Sequence, residues 1–170
     1  MNPIFDRASV RDFSKEDVKI NQIEEIIRAG MQAPSARNSQ PWEFLIVNNE
    51  EDIKAVSTMS PYAKPAENAQ KLIITLANTQ VLEENGTKEW FQQDLAACTQ
   101  NCLLEATNMK IGSVWLGFYP NKQRVNALCE YFNIPEHLIP FSVIALGYPK
   151  EKPAARRNFK PEKIHLGHFE

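Results

Sequence analysis

The sequence predicts an α+β domain, and three observations carry that expectation. Four short apolar runs rich in branched and aromatic residues, 44–47, 71–77, 113–118 and 141–147, read as buried strands. Between them lie segments whose apolar residues recur at spacings of three and four, as amphipathic helices require. At 170 residues the chain suffices for one core and is short for two, so 1–170 is expected to form a single domain.

Pro3 suits the first turn of a short helix over 3–8, because its missing N–H would be unpaired there anyway. Arg7, Ser9 and Arg11 then fall at alternate positions, so an extended backbone points two guanidiniums and a hydroxyl to one side. Such a set can hold a phosphate through bidentate, charge-assisted bonds. It can also be a solvated basic turn paired with Asp6 and Asp12. Asn21 is expected to cap a helix with Glu24 as its capping-box partner. Ile23, Ile26, Ile27 and Met31 mark the buried side of that helix, and Gly30 lies near its end.

Residues 33–42, Ala-Pro-Ser-Ala-Arg-Asn-Ser-Gln-Pro-Trp, form the densest run of good ligand contacts in the chain. Pro34 and Pro41 fix their own φ and push the preceding residue out of the α region, which predicts a stiff, extended connector. Ser35, Arg37, Asn38, Ser39 and Gln40 offer hydroxyls, amides and a guanidinium. The run reads either as a ligand-holding loop or as a capped, solvated loop with Trp42 in the core.

A helix over 50–57 should pack through Ile53 and Val56, and 60–65 reads as a loop. The polar run 83–87 reads as a turn leading to the longest helix, 88–109. Its stripe is Phe91, Leu95, Cys98, Cys102, Ala106 and Met109, with small Ala96 and Ala97 allowing close approach. Cys98 and Cys102 share one face, either as a redox pair or as small hydrophobes in the stripe. In the strand 113–118, Gly117 would let a flat ligand or another backbone approach closely, and Trp115 reads as core or as a stacking partner. Asn121 is expected to cap a helix over 122–132 with Val125, Leu128 and Cys129 inward. After Tyr148-Pro149 the chain becomes a polar tail, 150–170, that either frays or wraps a partner.

Charge and composition exclude several classes. With 19 basic and 21 acidic residues the net charge is -2, which gives no case for nucleic acid or an anionic membrane. No stretch approaches ~18 consecutive apolar residues and no signal peptide is recognisable, so a soluble, cytoplasmic protein is expected. Cys98, Cys102 and Cys129 contain no Cys-x-x-Cys pair, and His137, His165 and His168 lack ligand spacing. A disulfide framework and a metal site are therefore not expected.

In this order and at these separations, the pieces resemble the FMN-dependent nitroreductase family over nearly the whole chain. The family's Arg-x-Ser-x-Arg is matched by Arg7, Ser9 and Arg11, and its Pro-Ser-x-x-Asn-x-Gln-Pro-Trp loop by 34–42. Trp90-Phe91-Gln92-Gln93-Asp94-Leu95 through Gln100-Asn101 is similar to its central helix, and Val114-Trp115-Leu116-Gly117 to the strand that follows. Gly147-Tyr148-Pro149 and the basic segment before the tail complete the pattern. Lys110 departs from it, standing where the family often has Gly.

The resemblance implies a nitroreductase-like fold, a central mixed, mostly antiparallel sheet flanked by helices, in a domain-exchanged homodimer with two flavins at the interface. It implies FMN as cofactor and NADH or NADPH as reductant. Arg7, Ala8, Ser9 and Arg11 would bind the phosphate and ribityl region, with Arg11 close enough to the flavin to matter electronically. Asn38, with Gln40 beside it, would meet the isoalloxazine edge, and Pro34, Ser35 and Ala36 would come from the partner subunit. Backbone donors of Val114, Trp115, Leu116 and Gly117 would contact the ring or its N5. Arg156 and Arg157 resemble the basic residues that close over the phosphate, and the tail would embrace the second subunit. The implied activity is ping-pong hydride transfer to a nitroaromatic, quinone or similar electron-poor small molecule. It needs no catalytic side chain, since the flavin carries the chemistry. A non-catalytic FMN sensor or storage module would share every one of these binding residues.

Overall fold

The computed structural model describes residues 2–152, 154 and 158–168. Four strands, β1 (Trp42–Val47), β2 (Lys71–Asn78), β3 (Gly112–Gly117) and β4 (Leu138–Gly147), form one antiparallel sheet in the order β1-β2-β4-β3. Their apolar runs are nearly continuous because both faces are covered. Ile73, Ile144 and Leu146 pack against α2 (Ile20–Gly30) and α5 (Phe91–Asn108). Their neighbours Leu72, Ile74, Val143 and Ala145 point the other way, onto α3 (Glu50–Thr58) and α6 (Lys122–Phe132). Two cores thus lie on either side of one sheet.

The contact between α2 and α5 is close: a Cβ on Gly30 would meet Cys102 Sγ at 2.5 Å. Cys98 and Cys102 are free thiols and completely buried. The Cys98 thiol is pushed far above the usual range by its hydrogen bond with Cys102 and by burial. Neither is available as a nucleophile, and their role is packing.

Several elements differ from expectation for local reasons. The N-cap of α2 is Lys19 rather than Asn21, and Gln22 Oε1 accepts the Lys19 N–H at 2.9 Å. The helix α1 (Pro3–Asp6) ends before residue 7. The polar run 83–87 is not all turn: its first three residues end a short helix α4 (Thr79–Asn85). Asn78 Oδ1 caps that helix at Gln80 and Val81, and Gly86 at φ 60 closes it. The strand β4 starts earlier than the apolar run, at Leu138, because Leu138, Ile139 and Pro140 go on pairing with Asn78, Ala77 and Leu76 beyond a register shift that leaves Phe141 without a partner on β2. Proline is tolerated in a sheet at such a bulge. The α6 boundaries and the Asn121 cap are those expected from sequence.

Candidate functional site

β3 is an edge strand with β4 on one side. Along its other side the N-terminal arm makes a short parallel contact: Ser9 bridges Ser113, and Val10 N–H donates to Ser113 C=O at 3.0 Å. Alternate residues of a strand send N–H and C=O to the same edge. The Ser113 and Gly117 carbonyls both find partners outside the sheet, the second being Arg124 Nη1 at 3.0 Å. The N–H groups of Trp115 and Gly117 therefore face the open edge, while those of Val114 and Leu116 face β4. Space above the edge is open at Gly117, where a Cβ would meet nothing within 4 Å. From Ser113 to Gly117 the edge runs about 13 Å.

The arm brings its cations to the start of this edge. Ser9 and Arg11 are exposed, and Arg7 is half-buried. Neither arginine makes an ion pair among the described residues, and Arg11 Nη1 reaches only the Ser9 carbonyl at 3.3 Å. The alternative of a basic turn neutralised by Asp6 and Asp12 is overturned. Asp12 pairs with Lys150 at 2.6 Å, and Asp6 accepts the Asn2 N–H at 2.9 Å. Ala8 lies on the opposite side of the arm from Arg7 and Ser9, where it lines a cavity of about 590 Å³ with Asp6, Val10, Lys110, Ser113 and Lys152. The Ser113 Oγ is buried without a partner among the described residues. Lys110 adopts φ 62, the left-handed region glycine favours.

The loop between α2 and β1 is stiff but not extended. Its centre is a single 3₁₀ turn, Ala36–Asn38, and Arg37, Asn38 and Gln40 have φ of 52, 54 and 49. The prolines bracket a compact turn held by its own bonds. Asn38 N–H donates to Ser35 C=O at 2.9 Å, Ser39 N–H to Ala36 C=O at 3.0 Å, and Gln40 N–H to Ser35 Oγ at 2.9 Å. Arg37 turns away to donate to Asn85 C=O at 2.9 Å. Trp42 is buried in the core, while Pro34, Asn38 and Gln40 are exposed. On α5, Asp94 is 5% exposed and accepts the Ala36 N–H through Oδ1 at 3.0 Å. Its Oδ2 has no partner among the described residues, and burial raises its pKa despite the bond from Ala36.

The arm and the β3 edge thus converge, while the two ends of the loop, Ala33 and Trp42, belong to a buried cluster against which Trp115 of β3 packs. The loop itself lies elsewhere. It leads into β1, at the opposite edge of the sheet, three strand spacings or about 14 Å from β3. It docks on the N-terminal turn of α5, whereas the cavity beside the arm reaches Thr107 and Lys110 past the other end. Asp94 and Thr107 are about 20 Å apart along that helix. Arg156 and Arg157 lie outside the described residues. Arg124 was not among the residues singled out from sequence. Its signal was a cation in the first turn of a helix, against the macrodipole. Asp94 was the other residue missed. Among the described residues no cluster of three or more His, Cys, Asp or Glu could hold a metal, and no helix is long and apolar enough to cross a membrane.

The model of the Nitroreductase family matches residues 4–148. A protein of Archaeoglobus fulgidus, provisionally named NADH dehydrogenase/NAD(P)H nitroreductase, is 40% identical over 165 residues, covering 95% of this chain and 94% of its own length. A crystal structure from Clostridium acetobutylicum, provisionally named an NADH oxidase, superposes with a TM-score of 0.94 at 38% identity. It covers 98% of this chain and 99% of that one. A Desulfovibrio desulfuricans protein, provisionally identified as a nitroreductase and solved in complex with FMN, superposes with a TM-score of 0.81 at 25% identity, covering 98% and 95%.

Proposed function

The chain belongs to the Nitroreductase family, and on that premise we propose that it is an FMN-dependent NAD(P)H oxidoreductase acting on nitroaromatics, quinones or similar electron-poor small molecules. The observation that carries this reading is the outer edge of β3, where cations of the arm without an ion pair among the described residues lie at one end and two outward N–H donors at the other. The residues fit FMN. Among the described residues Arg7 and Arg11 have no ion pair to compete with a phosphate and Ser113 Oγ is a buried hydroxyl without a partner, and Gly117 leaves room for a flat ring.

Bound FMN would supply hydride transfer from NADH or NADPH to the acceptor. Arg7, Ser9 and Arg11 would bind the phosphate and ribityl portion from the arm, with Arg156 and Arg157 closing over it. Of the four residues expected in β3, Trp115 and Gly117 would donate N–H bonds to the ring, because Val114 and Leu116 turn theirs to β4. Arg11, the arm's most distal cation, would favour negative charge on the ring. No side chain need transfer a proton in a fixed dyad. The open space over Gly117 supports one shared face for reductant and acceptor in turn, and ping-pong kinetics would result.

The separation of loop and arm supports a homodimer. Pro34, Ser35, Ala36, Asn38 and Gln40 of one protomer lead into β1, at the sheet edge opposite β3, which supports a role for them at the flavin of a second copy. The tail, 150–170, would embrace that copy. The test is direct. Purified protein should be yellow and dimeric, and anaerobic NADH or NADPH should bleach its flavin absorbance. A flavin that neither reductant bleaches would leave a storage or sensing module, and a colourless monomer that takes up no FMN would end both readings.

A further inference from the structure

The geometry points to Arg124 as a positioning residue for the ring-facing end of β3, an inference that rests on the function proposed above. Arg124 stands in the first turn of α6, where the macrodipole disfavours a cation. Its backbone is fixed there by Asn121 Oδ1, which accepts its N–H at 3.1 Å. The side chain folds back to the sheet. Nη1 donates to Gly117 C=O at 3.0 Å, and the guanidinium carbon lies 5.2 Å from the centroid of the Tyr62 ring. No carboxylate pairs with it among the described residues. Its charge is thus delivered to the edge of β3 unneutralised.

Gly117 requires such a hold. Glycine has the freest backbone of any residue, and this one ends the strand with no neighbouring atom within 4 Å of where a Cβ would lie. Its pairing with Ser142 fixes the inner side of the strand, and its outer edge has no strand against it to hold the direction of the N–H. A charge-assisted bond to its carbonyl supplies that direction, because N–H and C=O of one residue share the same edge. The guanidinium also lies beside any atom that the Gly117 N–H binds, where it favours negative charge. Tyr62, itself 70% exposed, restrains the guanidinium by a cation–π contact. Arg124 therefore acts through Gly117 on orientation and directly on charge.

Wild type is compared with Arg124→Ala, Arg124→Gln and Arg124→Lys, each loaded with FMN. The readouts are the two-electron midpoint potential by dye equilibration, FMN affinity by quenching of flavin fluorescence, and the Tm of the apo-protein. Arg124→Ala should move the midpoint negative by about 30 mV, a tenfold change in the two-electron equilibrium. Arg124→Lys, which keeps the charge, should recover most of that shift. Arg124→Gln, which keeps a donor for the Gly117 carbonyl without charge, should recover affinity but not potential. Midpoints equal to wild type in all three overturn the inference, whatever happens to Tm. Should Arg124→Ala fail to fold, equal midpoints in the Lys and Gln variants overturn it. A wild-type protein that holds no FMN overturns the underlying functional reading before any variant is made, so the two failures are distinct.

Discussion

The N-terminal arm and the loop at 33–42 both present polar groups suited to one ligand, yet they hold those groups in opposite ways. The arm is tied to β3 by one short parallel contact, and its two guanidiniums have no charged partner among the described residues. The loop is tied by bonds within itself, by Arg37 to Asn85 and by Asp94 to Ala36, and it holds three non-glycine residues in the left-handed region. One segment offers charge with no ion partner among the described residues, and the other a fixed shape with little charge. A phosphate tolerates the first, because Coulomb attraction falls off slowly with distance. Hydrogen bonds to a planar ring need the second, because they weaken steeply with angle.

The largest effect should come from breaking the arm's side of this contrast. Arg7→Ala or Arg11→Ala should weaken FMN retention by roughly 10- to 100-fold, the worth of one hydrogen bond to a charged group. The Tm of the apo-protein should stay as it is, since neither side chain makes an ion pair among the described residues. Equilibrium dialysis against FMN and calorimetry of the apo-protein read the two quantities separately. Unchanged retention would refute the phosphate assignment.

The loop should respond in the opposite sense, in stability before ligand binding. Asp94→Ala strips the Ala36 N–H of its acceptor and should lower stability by about 1–2 kcal/mol, read as a fall in apo-protein Tm of several degrees. Asp94→Asn keeps an oxygen for Ala36 and removes a buried charge. Burial raises the Asp94 pKa in the folded state, so the native protein binds the proton more tightly than the unfolded chain. The contribution is present in full below the unfolded pKa and is lost as pH rises through the folded one. Across that window the Tm of wild type should fall relative to that of Asp94→Asn. Parallel curves would show that the carboxyl titrates alike in both states.

How much of this could be read from sequence depends on what holds each part. The strands β2 and β4 and the helix α6 were legible because their signals are local: branched apolar runs in one case, Asn121 and the spacing to Leu128 in the other. The helix α4 was not, because it buries Leu82 alone and has no apolar stripe; its evidence was confined to the Asn78 cap and Gly86. Arg7, Ser9 and Arg11 stood out by their alternation, and the arm is extended enough at Ser9 to bridge β3. The loop was recognised by its residue types but misjudged in shape. Left-handed φ at Arg37 and Gln40 runs against their own preferences; it is held by bonds within the loop, from Gln40 to Ser35, and by the reach of Arg37 to Asn85, 48 positions away. Asp94 and Arg124 share that difficulty, since their partners Ala36, Gly117 and Tyr62 are brought to them only by the fold.

The smallest effect sharpens the comparison most finely, because it separates the loop's shape from the strain of reaching it. Gln40 sits at φ 49, and the bond that fixes it uses its backbone N–H, donated to Ser35 Oγ at 2.9 Å. Gln40→Gly keeps that bond and loses only the side-chain contact to Asn38 C=O, which at 3.4 Å is weak. A left-handed conformation costs an L-residue about 1–2 kcal/mol, and glycine gives back about 0.5–1 kcal/mol of that in unfolded-chain entropy. The net should be a gain near 0.5 kcal/mol, read as a rise of about 1–2 °C in Tm. The same change in an extended connector would lower stability, because there glycine brings only its entropy. The sign of the Tm shift therefore distinguishes a compact, strained loop from the extended one its two prolines suggest.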